Sequence, residues 1–259
     1  MQRQVEGRVA LVTGAGSGIG RATALLLARE GAQVAALDFD ADSVRSAVGE
    51  IDGNGGEALA LAADVSRVED VQRAVTQTVD RWGRLDIVFA NAGVNGVWAP
   101  IEELAPEEWD RTLGINLRGT FLTVKYAVPY LKRQGGSVIV TASVNGTRVF
   151  SNTGATAYSS SKAGQVAFTK MMALELAGDN VRVNVICPGA IETDISASTE
   201  QRDLERVKIP VQYPEGAAPM RPGTAEQVAQ LVLFLASDAA AHISGTEMWI
   251  DGGESLLRG

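Results

Sequence analysis

The chain is poor in the residues that most often carry chemistry. Its 259 residues include one cysteine, Cys187, and one histidine, His242. A single cysteine forms no intrachain disulfide, which fits a reducing compartment. A single histidine excludes a histidine-rich metal cluster and a conventional serine–histidine triad, so no metal site is expected. Aromatics are scarce, 5% against 46% apolar residues in all, so the core has to be built from Ala, Val, Leu and Ile, as suits helices close-packed on a parallel sheet. Basic residues are outnumbered, 23 Lys and Arg against 31 Asp and Glu, for a formal net charge of −8. That balance leaves no footprint for nucleic acid, and any bound phosphate must be met by backbone amides and helix ends. No apolar run reaches the length of a membrane span, and the stretch Met1-Gln2-Arg3-Gln4-Val5-Glu6 has no apolar signal region. The expectation is a cytoplasmic protein without a membrane or nucleic-acid partner.

What is present is a regular alternation of strand and helix patterns, with no internal repeat and no low-complexity tract. The length allows one α/β domain over residues 1–259. Residues 8–13 read as a short buried strand that runs into Gly14-Ala15-Gly16-Ser17-Gly18-Ile19-Gly20 and then an apolar helix over 21–30, closed by Gly31. Strand, glycine turn and helix open a dinucleotide-binding βαβ unit: glycines let the backbone approach a pyrophosphate, and the helix N-terminus offers amides and positive dipole. A second strand, 33–37, ends in Asp38, where a carboxylate accepts the ribose hydroxyls of NAD and repels a 2′-phosphate. No lysine or arginine stands in the glycine turn or just after Asp38. Asp40 and Asp42 read as loop or cap residues. A third strand, 57–63, leads to Asp64-Val65, placed for the adenine edge, and 67–82 reads as an amphipathic scaffold helix ended by Gly83. A fourth strand, 86–90, leads into Asn91-Ala92-Gly93, small residues that suit a backbone lying against a cofactor.

Residues 106–132 read as one long helix, bent near Gly114, Gly119 and Pro129, with Asn116 inside it as a surface residue of little consequence by itself. A β-branched run, 137–141, continues to a strand end at Ser143. After a loop of small and polar residues, Tyr158-Ser159-Ser160-Ser161-Lys162 opens a second long helix. Residues four apart share a helix face, so Tyr158 and Lys162 are an ordinary surface pair or an acid/base pair. In the second case the ammonium favours the phenolate and draws its pKa from about 10 towards neutrality, as a general acid/base for an alcohol–ketone interconversion requires. Ser143 is placed to hydrogen-bond the same substrate oxygen. A sixth strand, 181–186, ends in Cys187-Pro188-Gly189 with Ile191-Glu192-Thr193 after it, and Cys187 reads as a small buried residue. Prolines, glycines and charges over 196–223 suggest a mobile loop or short-helix flap. Thr224 then caps a helix to 236, and 247–251 make a last strand.

These motifs together resemble the classical short-chain dehydrogenase/reductase family over essentially the whole chain. Thr13-Gly14-x-x-x-Gly18-Ile19-Gly20, Asp64-Val65, Asn91-Ala92-Gly93, Asn116, Ser143, Tyr158-x-x-x-Lys162 and Pro188-Gly189-x-Ile191-x-Thr193 fall in that family's order. The resemblance implies a Rossmann-type doubly wound sheet of seven parallel strands in a three-layer α/β/α domain, assembled as a homotetramer. It implies Tyr158 as acid/base, Ser143 as partner of the substrate oxygen, Lys162 on the nicotinamide ribose, and Asn116 holding a water that links Lys162 to solvent. Gly14, Ser17, Gly18, Ile19, Gly20, Asp38, Asp64, Val65, Asn91, Ala92, Gly93, Tyr158, Lys162, Pro188, Gly189, Ile191 and Thr193 are the expected cofactor residues.

The resulting expectation is NAD-dependent hydride transfer to or from a small secondary alcohol or ketone. The pocket would be lined from 94–98, 145–152 and the flap over 196–223. Arg148 is either a solvated loop residue or a reader of an anionic or polyhydroxylated substrate. Two alternatives stand beside this: an NADP-linked 3-oxoacyl-thioester reductase, and a non-catalytic NAD(H)-binding regulator on the same scaffold.

Overall fold

The computed structural model describes residues 3–193, 195, 199–211 and 221–258. Seven strands form its main sheet: β1 (Val9–Thr13), β2 (Gln33–Asp38), β3 (Glu57–Ala62), β4 (Ile87–Ala90), β5 (Gly136–Thr141), β6 (Val181–Pro188) and β7 (Glu247–Ile250). Their spatial order is β3-β2-β1-β4-β5-β6-β7, with every neighbouring pair parallel. The chain moves outward from β1 to β3 and then crosses back to β4, so the direction of winding reverses between β1 and β4. At such a switch point the loops on either side part, and a crevice opens outside the carboxyl ends of the strands.

Parallel strands covered on both faces read as continuous apolar runs, and all five residues of β1 are buried. Alternate side chains divide between two apolar layers. Val9 and Leu11 join a layer with Val71 and Val75 of α3 (Val68–Trp82), Leu122 of α5 (Gly119–Leu131) and Val166 of α6 (Thr156–Glu175). Ala10 and Val12 join a second layer with Leu27 of α1 (Gly18–Arg29), Val44 of α2 (Ala41–Gly53) and Val232 of α7 (Ala225–Ala236). This is a three-layer α/β/α arrangement. Its largest fully buried side chains are Phe89 and a set of leucines and isoleucines, as the shortage of aromatics requires.

Helix α2 has no counterpart among the sequence expectations, because acids and glycines dilute its apolar stripe. Asp40 caps it, its carboxylate accepting from the amides of Asp42 and Ser43 at 2.9 and 3.2 Å. The single helix expected over 106–132 is three pieces: α4 (Pro106–Leu113), a π-helical segment (Gly114–Arg118) and α5, with Pro129 inside the last.

Of the expected flap over 196–223, residues 196–198 and 212–220 lie outside the described residues. The described part is strapped down. Glu200–Gln201 pairs with Val97–Trp98, and Gly223–Thr224 with Ile191–Glu192. Arg202 donates to both carboxylate oxygens of Glu108 at 2.7 and 3.2 Å, and Arg206 reaches Glu102 and Glu103 at 2.7 and 2.8 Å. A short helix, α8 (Glu254–Arg258), closes the described chain. Among the described residues no helix is long and apolar enough to cross a membrane.

Candidate active site

The crevice at the switch point holds a cavity of about 1210 Å³. Its first wall begins where β1 ends. The Thr13 hydroxyl accepts the amides of Asn91 and Ala92 at 3.0 and 3.1 Å, which staples the end of β1 to the end of β4. Gly14 follows at φ +69°, in the left-handed region that favours glycine. Gly20 is glycine for another reason: a Cβ there would lie 1.9 Å from the Gly14 carbonyl oxygen, so α1 can close onto the turn only without a side chain. Ser17 is the N-cap of α1, yet its side chain makes no capping bond. The first-turn amides are left for an anion, and Gly14, Ser17, Gly18 and Ile19 line the cavity. Gly20 lies outside the lining and acts through packing.

Asp38 ends β2 and lines the same cavity. Its carboxylate accepts the Gly16 amide at 2.9 Å and the Asp40 amide at 3.0 Å, which fixes it beside the glycine turn. Asp64 and Val65 are lining residues too, and Asp64 is tied locally by the amide and hydroxyl of Ser66 at 2.8 and 2.7 Å. Asn91, Ala92 and Gly93 line it from β4, and Pro188, Gly189, Ile191 and Thr193 from the end of β6. A dinucleotide fits this set. An uncapped helix N-terminus meets a pyrophosphate, a carboxylate stands at the end of β2, and the volume exceeds the ~300–1,000 Å³ of a single-ligand pocket.

At the far end stand Ser143 and Tyr158, both lining and only 6% and 8% exposed. The Ser143 hydroxyl stands beside the Tyr158 phenol and favours its ionised form, and the Asn145 amide donates to Ser143 Oγ at 3.1 Å. Lys162 lies behind this wall, 4% exposed, its Nζ donating to the Thr141 carbonyl at 2.9 Å and lying 5.5 Å from the Tyr158 ring centroid. Burial lowers the lysine pKa from 10.5 to about 8, the neighbouring Cys187 thiol acting the other way. The expectation that Lys162 draws the Tyr158 pKa down is not met by these groups alone. Burial raises it, the neighbouring Ser143 hydroxyl opposing, because a phenolate inside the protein loses more hydration than one hydroxyl restores.

Asn116 is the other correction. It is fully buried at the centre of the π segment. Its Oδ1 accepts the Val94 amide at 2.8 Å, and its Nδ2 donates to the Val94 carbonyl at 2.9 Å and to Ser161 Oγ at 3.0 Å. Its backbone carbonyl accepts from Thr120 Oγ1 at 2.8 Å and Gln165 Nε2 at 3.0 Å. A Cβ on Gly93 would come within 3.1 Å of Asn116 Oδ1 and 3.5 Å of Lys162 Nζ, so backbone, amide and ammonium are packed together here.

The sequence expectations had no place for Thr141 as a link. Its carbonyl holds Lys162, and its hydroxyl donates to Asn91 Oδ1 at 3.1 Å, while Asn91 Nδ2 donates to the Thr13 carbonyl at 3.2 Å. A hydroxyl-bearing β-branched residue at each strand end is the one signal that pointed there. Of the expected lining stretches, Val94, Asn95, Trp98, Asn145, Val149 and Asn152 face the cavity, and Ile195, just before the expected flap, faces it too, while no described residue of the flap does. Arg148 does not. It stacks on Trp249, its guanidinium carbon 3.8 Å from the ring centroid. Cys187 is buried, and desolvation raises its thiol to about 12, which keeps it protonated.

A family model described as enoyl-(acyl carrier protein) reductase matches residues 14–255. The chain is 38% identical to the 3-oxoacyl-[acyl-carrier-protein] reductase of Thermotoga maritima, over 96% of this chain and 98% of that one. It is also 38% identical to the cyclohexanol dehydrogenase of Acinetobacter sp., over 97% and 96%. Among solved structures, the 3-ketoacyl-ACP reductase from Sinorhizobium meliloti matches with a TM-score of 0.91 and 52% identity, over 96% of this chain and 100% of that one.

Proposed function

The chain belongs to the classical short-chain dehydrogenase/reductase family, and on that premise we propose that it interconverts a secondary alcohol and its ketone with NAD as partner, Tyr158 serving as general acid/base. One observation carries this reading: the adjacent pair of Tyr158 and Ser143, with Lys162 buried behind it, stands in the same cavity as the uncapped N-terminus of α1 and the Asp38 carboxylate. A bound nicotinamide would supply the hydride acceptor for oxidation of the carbinol carbon and the hydride donor for reduction of the carbonyl carbon.

The chain's own residues then have the following tasks. The amides of Gly14, Ser17, Gly18 and Ile19 hold the pyrophosphate, with Gly20 letting α1 close behind them. Asp38 accepts the ribose hydroxyls, and it would repel a 2′-phosphate near 4 Å by up to ~4 kcal/mol at an effective dielectric of about 20. Asp64 and Val65 flank the adenine, and Asn91, Ala92 and Gly93 lie along the dinucleotide. Pro188, Gly189, Ile191 and Thr193 form the opposite wall. Ser143 holds the substrate oxygen, and Tyr158 takes the hydroxyl proton in oxidation or returns it in reduction. Lys162, a cation below pH ~8, would hold the nicotinamide ribose with Tyr158. Asn116 keeps Lys162 connected to solvent through a water. The protein on this reading is a cytoplasmic homotetramer.

The likeness to 3-oxoacyl-carrier reductases favours a second reading, NADP-linked reduction of a 3-oxoacyl thioester. Asp38 weighs against it. Absorbance at the NADH band, with NAD and NADP in parallel against sugars, polyols, hydroxy acids and 3-hydroxyacyl thioesters, separates the two. Tyr158→Phe should lower kcat by about 10²–10⁴ or more, and near-normal turnover in that variant would remove Tyr158 from the mechanism. Tight NADH binding with no turnover anywhere in the panel would favour a non-catalytic regulator.

A further inference from the structure

The substrate end of the cavity carries amides where an anion reader would carry cations. Asn145 follows Ser143 by two residues and is pinned to it, its amide donating to Ser143 Oγ at 3.1 Å. A bridge from Asn145 to Val149 and a bond from Thr147 Oγ1 to the Ser143 carbonyl at 2.7 Å fix this loop. Asn152 Nδ2 donates to Asn145 Oδ1 at 2.9 Å. A single amide–amide bond leaves one side-chain nitrogen and one side-chain oxygen of the pair without a protein partner among the described residues. Exchanging O and N in both residues leaves the same remainder, one donor and one acceptor. Neither atom is among the buried polar atoms that go unpartnered, and both residues line the cavity beside Ser143 and Tyr158. Across from them Trp98 bounds the space, its ring 6.4 Å from that of Tyr158.

The arginines of the 145–152 loop and of the flap are committed elsewhere. Arg148 lies on Trp249. Arg202 and Arg206 of the flap are paired with Glu108, Glu102 and Glu103. Of the lining arginines, Arg118 of the π segment donates to the Ser66 carbonyl, and the side chain of Arg111 of α4 has no ion-pair or hydrogen-bond partner among the described residues. A carboxylate or phosphate on the substrate would meet no free counter-charge from Arg148, Arg202 or Arg206. A neighbouring hydroxyl or carbonyl would meet one donor and one acceptor a short chain step from Ser143.

We propose that the substrate is a small uncharged alcohol bearing a second hydroxyl or carbonyl on the carbon next to the reacting one, and that the Asn145–Asn152 pair reads this second oxygen. The inference rests on the acid/base reading of Tyr158 and narrows its substrate class. Redox balance is unchanged: the carbinol carbon loses a hydride, its oxygen loses a proton, and the second oxygen only forms hydrogen bonds.

The test compares three four-carbon alcohols, each as a mixture of its stereoisomers, with NAD and with NADP: butan-2-ol, butane-2,3-diol and 3-hydroxybutanoate. A site built to pair a hydroxyl discriminates against the analogue that leaves its amides unpaired. The wild type should therefore favour the diol over butan-2-ol by at least about tenfold in kcat/KM, with 3-hydroxybutanoate the poorest. In Asn152→Ala, and in Asn145→Ser should the first variant fold badly, the preference for the diol over butan-2-ol should fall below about threefold. Equal use of diol and butan-2-ol by the wild type overturns the proposal, as do a preference for 3-hydroxybutanoate, a diol preference retained in the variants, and no turnover of the diol with either cofactor. Tyr158→Phe in parallel separates the two levels. If that variant is inactive while the wild type does not discriminate, the substrate inference alone fails. If it stays active, the acid/base reading fails.

Discussion

Lys162→Met removes an ammonium that the fold holds at a cost and replaces it with an apolar chain of similar length. In the native protein Lys162 is 4% exposed, its Nζ bonds the Thr141 carbonyl, and burial lowers its pKa from 10.5 to about 8. That lowering corresponds to roughly 3 kcal/mol against the charged form. Because the folded pKa lies below the unfolded one, the penalty stands in full below pH ~8, where both states are protonated. It is relieved as pH rises from 8 towards 10.5, where the unfolded chain binds more protons than the folded one. Between pH 7 and pH 10 the wild type should gain roughly 2–3 kcal/mol of stability that Lys162→Met cannot gain. Groups common to both proteins cancel in that difference. At pH 7 the variant escapes the ~3 kcal/mol penalty but loses a charge-assisted bond worth roughly 1.5–3 kcal/mol, so it should be as stable as the wild type or up to about 2 kcal/mol more stable. At pH 10 the order should reverse. Urea unfolding followed by circular dichroism, at one fixed protein concentration and both pH values, reads the crossover. A stability difference that stays flat from pH 7 to pH 10 would refute the burial account of Lys162. Turnover should be lost in the variant at both pH values.

Asp38→Ala should raise the ratio of kcat/KM with NADP to that with NAD by roughly 100-fold, since up to ~4 kcal/mol of repulsion is removed; an unchanged ratio, or a wild type that uses both cofactors equally, would refute the role given to this carboxylate. Gly20→Ala forces a Cβ to 1.9 Å from the Gly14 carbonyl oxygen, backbone against backbone, and should weaken NADH binding, read by fluorescence titration, at least about tenfold, or cost roughly 1–3 kcal/mol of stability. Gly49→Ala is its control: nothing lies within 4 Å of the added Cβ, so binding should not change. Equal behaviour of the two alanines would discard the packing account of the turn.

The parts of the fold legible in the sequence are those where one physical signal dominates. Strands β1, β4 and β5 are buried on both faces, so their apolar runs stand out, and Gly83 marks the end of α3 because its φ of 76° suits glycine. Helix α2 was illegible because acids and glycines dilute its apolar stripe, although Asp40 gave its cap. In the site, the Tyr158–Lys162 spacing was readable from helix periodicity, whereas the raised pKa of Tyr158 depends on burial, which no spacing reports. Asn116 was misread for a related reason. In an α-helix its polarity argues for a solvent-facing position, and only the tertiary clamp on the Val94 backbone satisfies it inside. Arg148 is open in the sequence between a solvated loop residue and a substrate reader, and in the structure Trp249 of β7, about one hundred residues on, takes its guanidinium.

Between Pro106 and Leu131 the backbone passes from eight α-helical residues through five π-helical ones to thirteen more α-helical ones. A π turn holds an additional residue relative to an α turn, so this stretch is longer by a unit than a regular helix of the same span. The surplus lies where Asn116 meets the Val94 backbone and Ser161. Deleting one residue from the segment would restore an even hydrogen-bond ladder, yet it would rotate everything on one side of the cut by about 100° relative to the other. Length here is therefore a specification for the site, not for the helix. Homologous recombination or loop grafting across this element has to preserve residue count as well as residue identity, even though the surrounding surface would tolerate the gap.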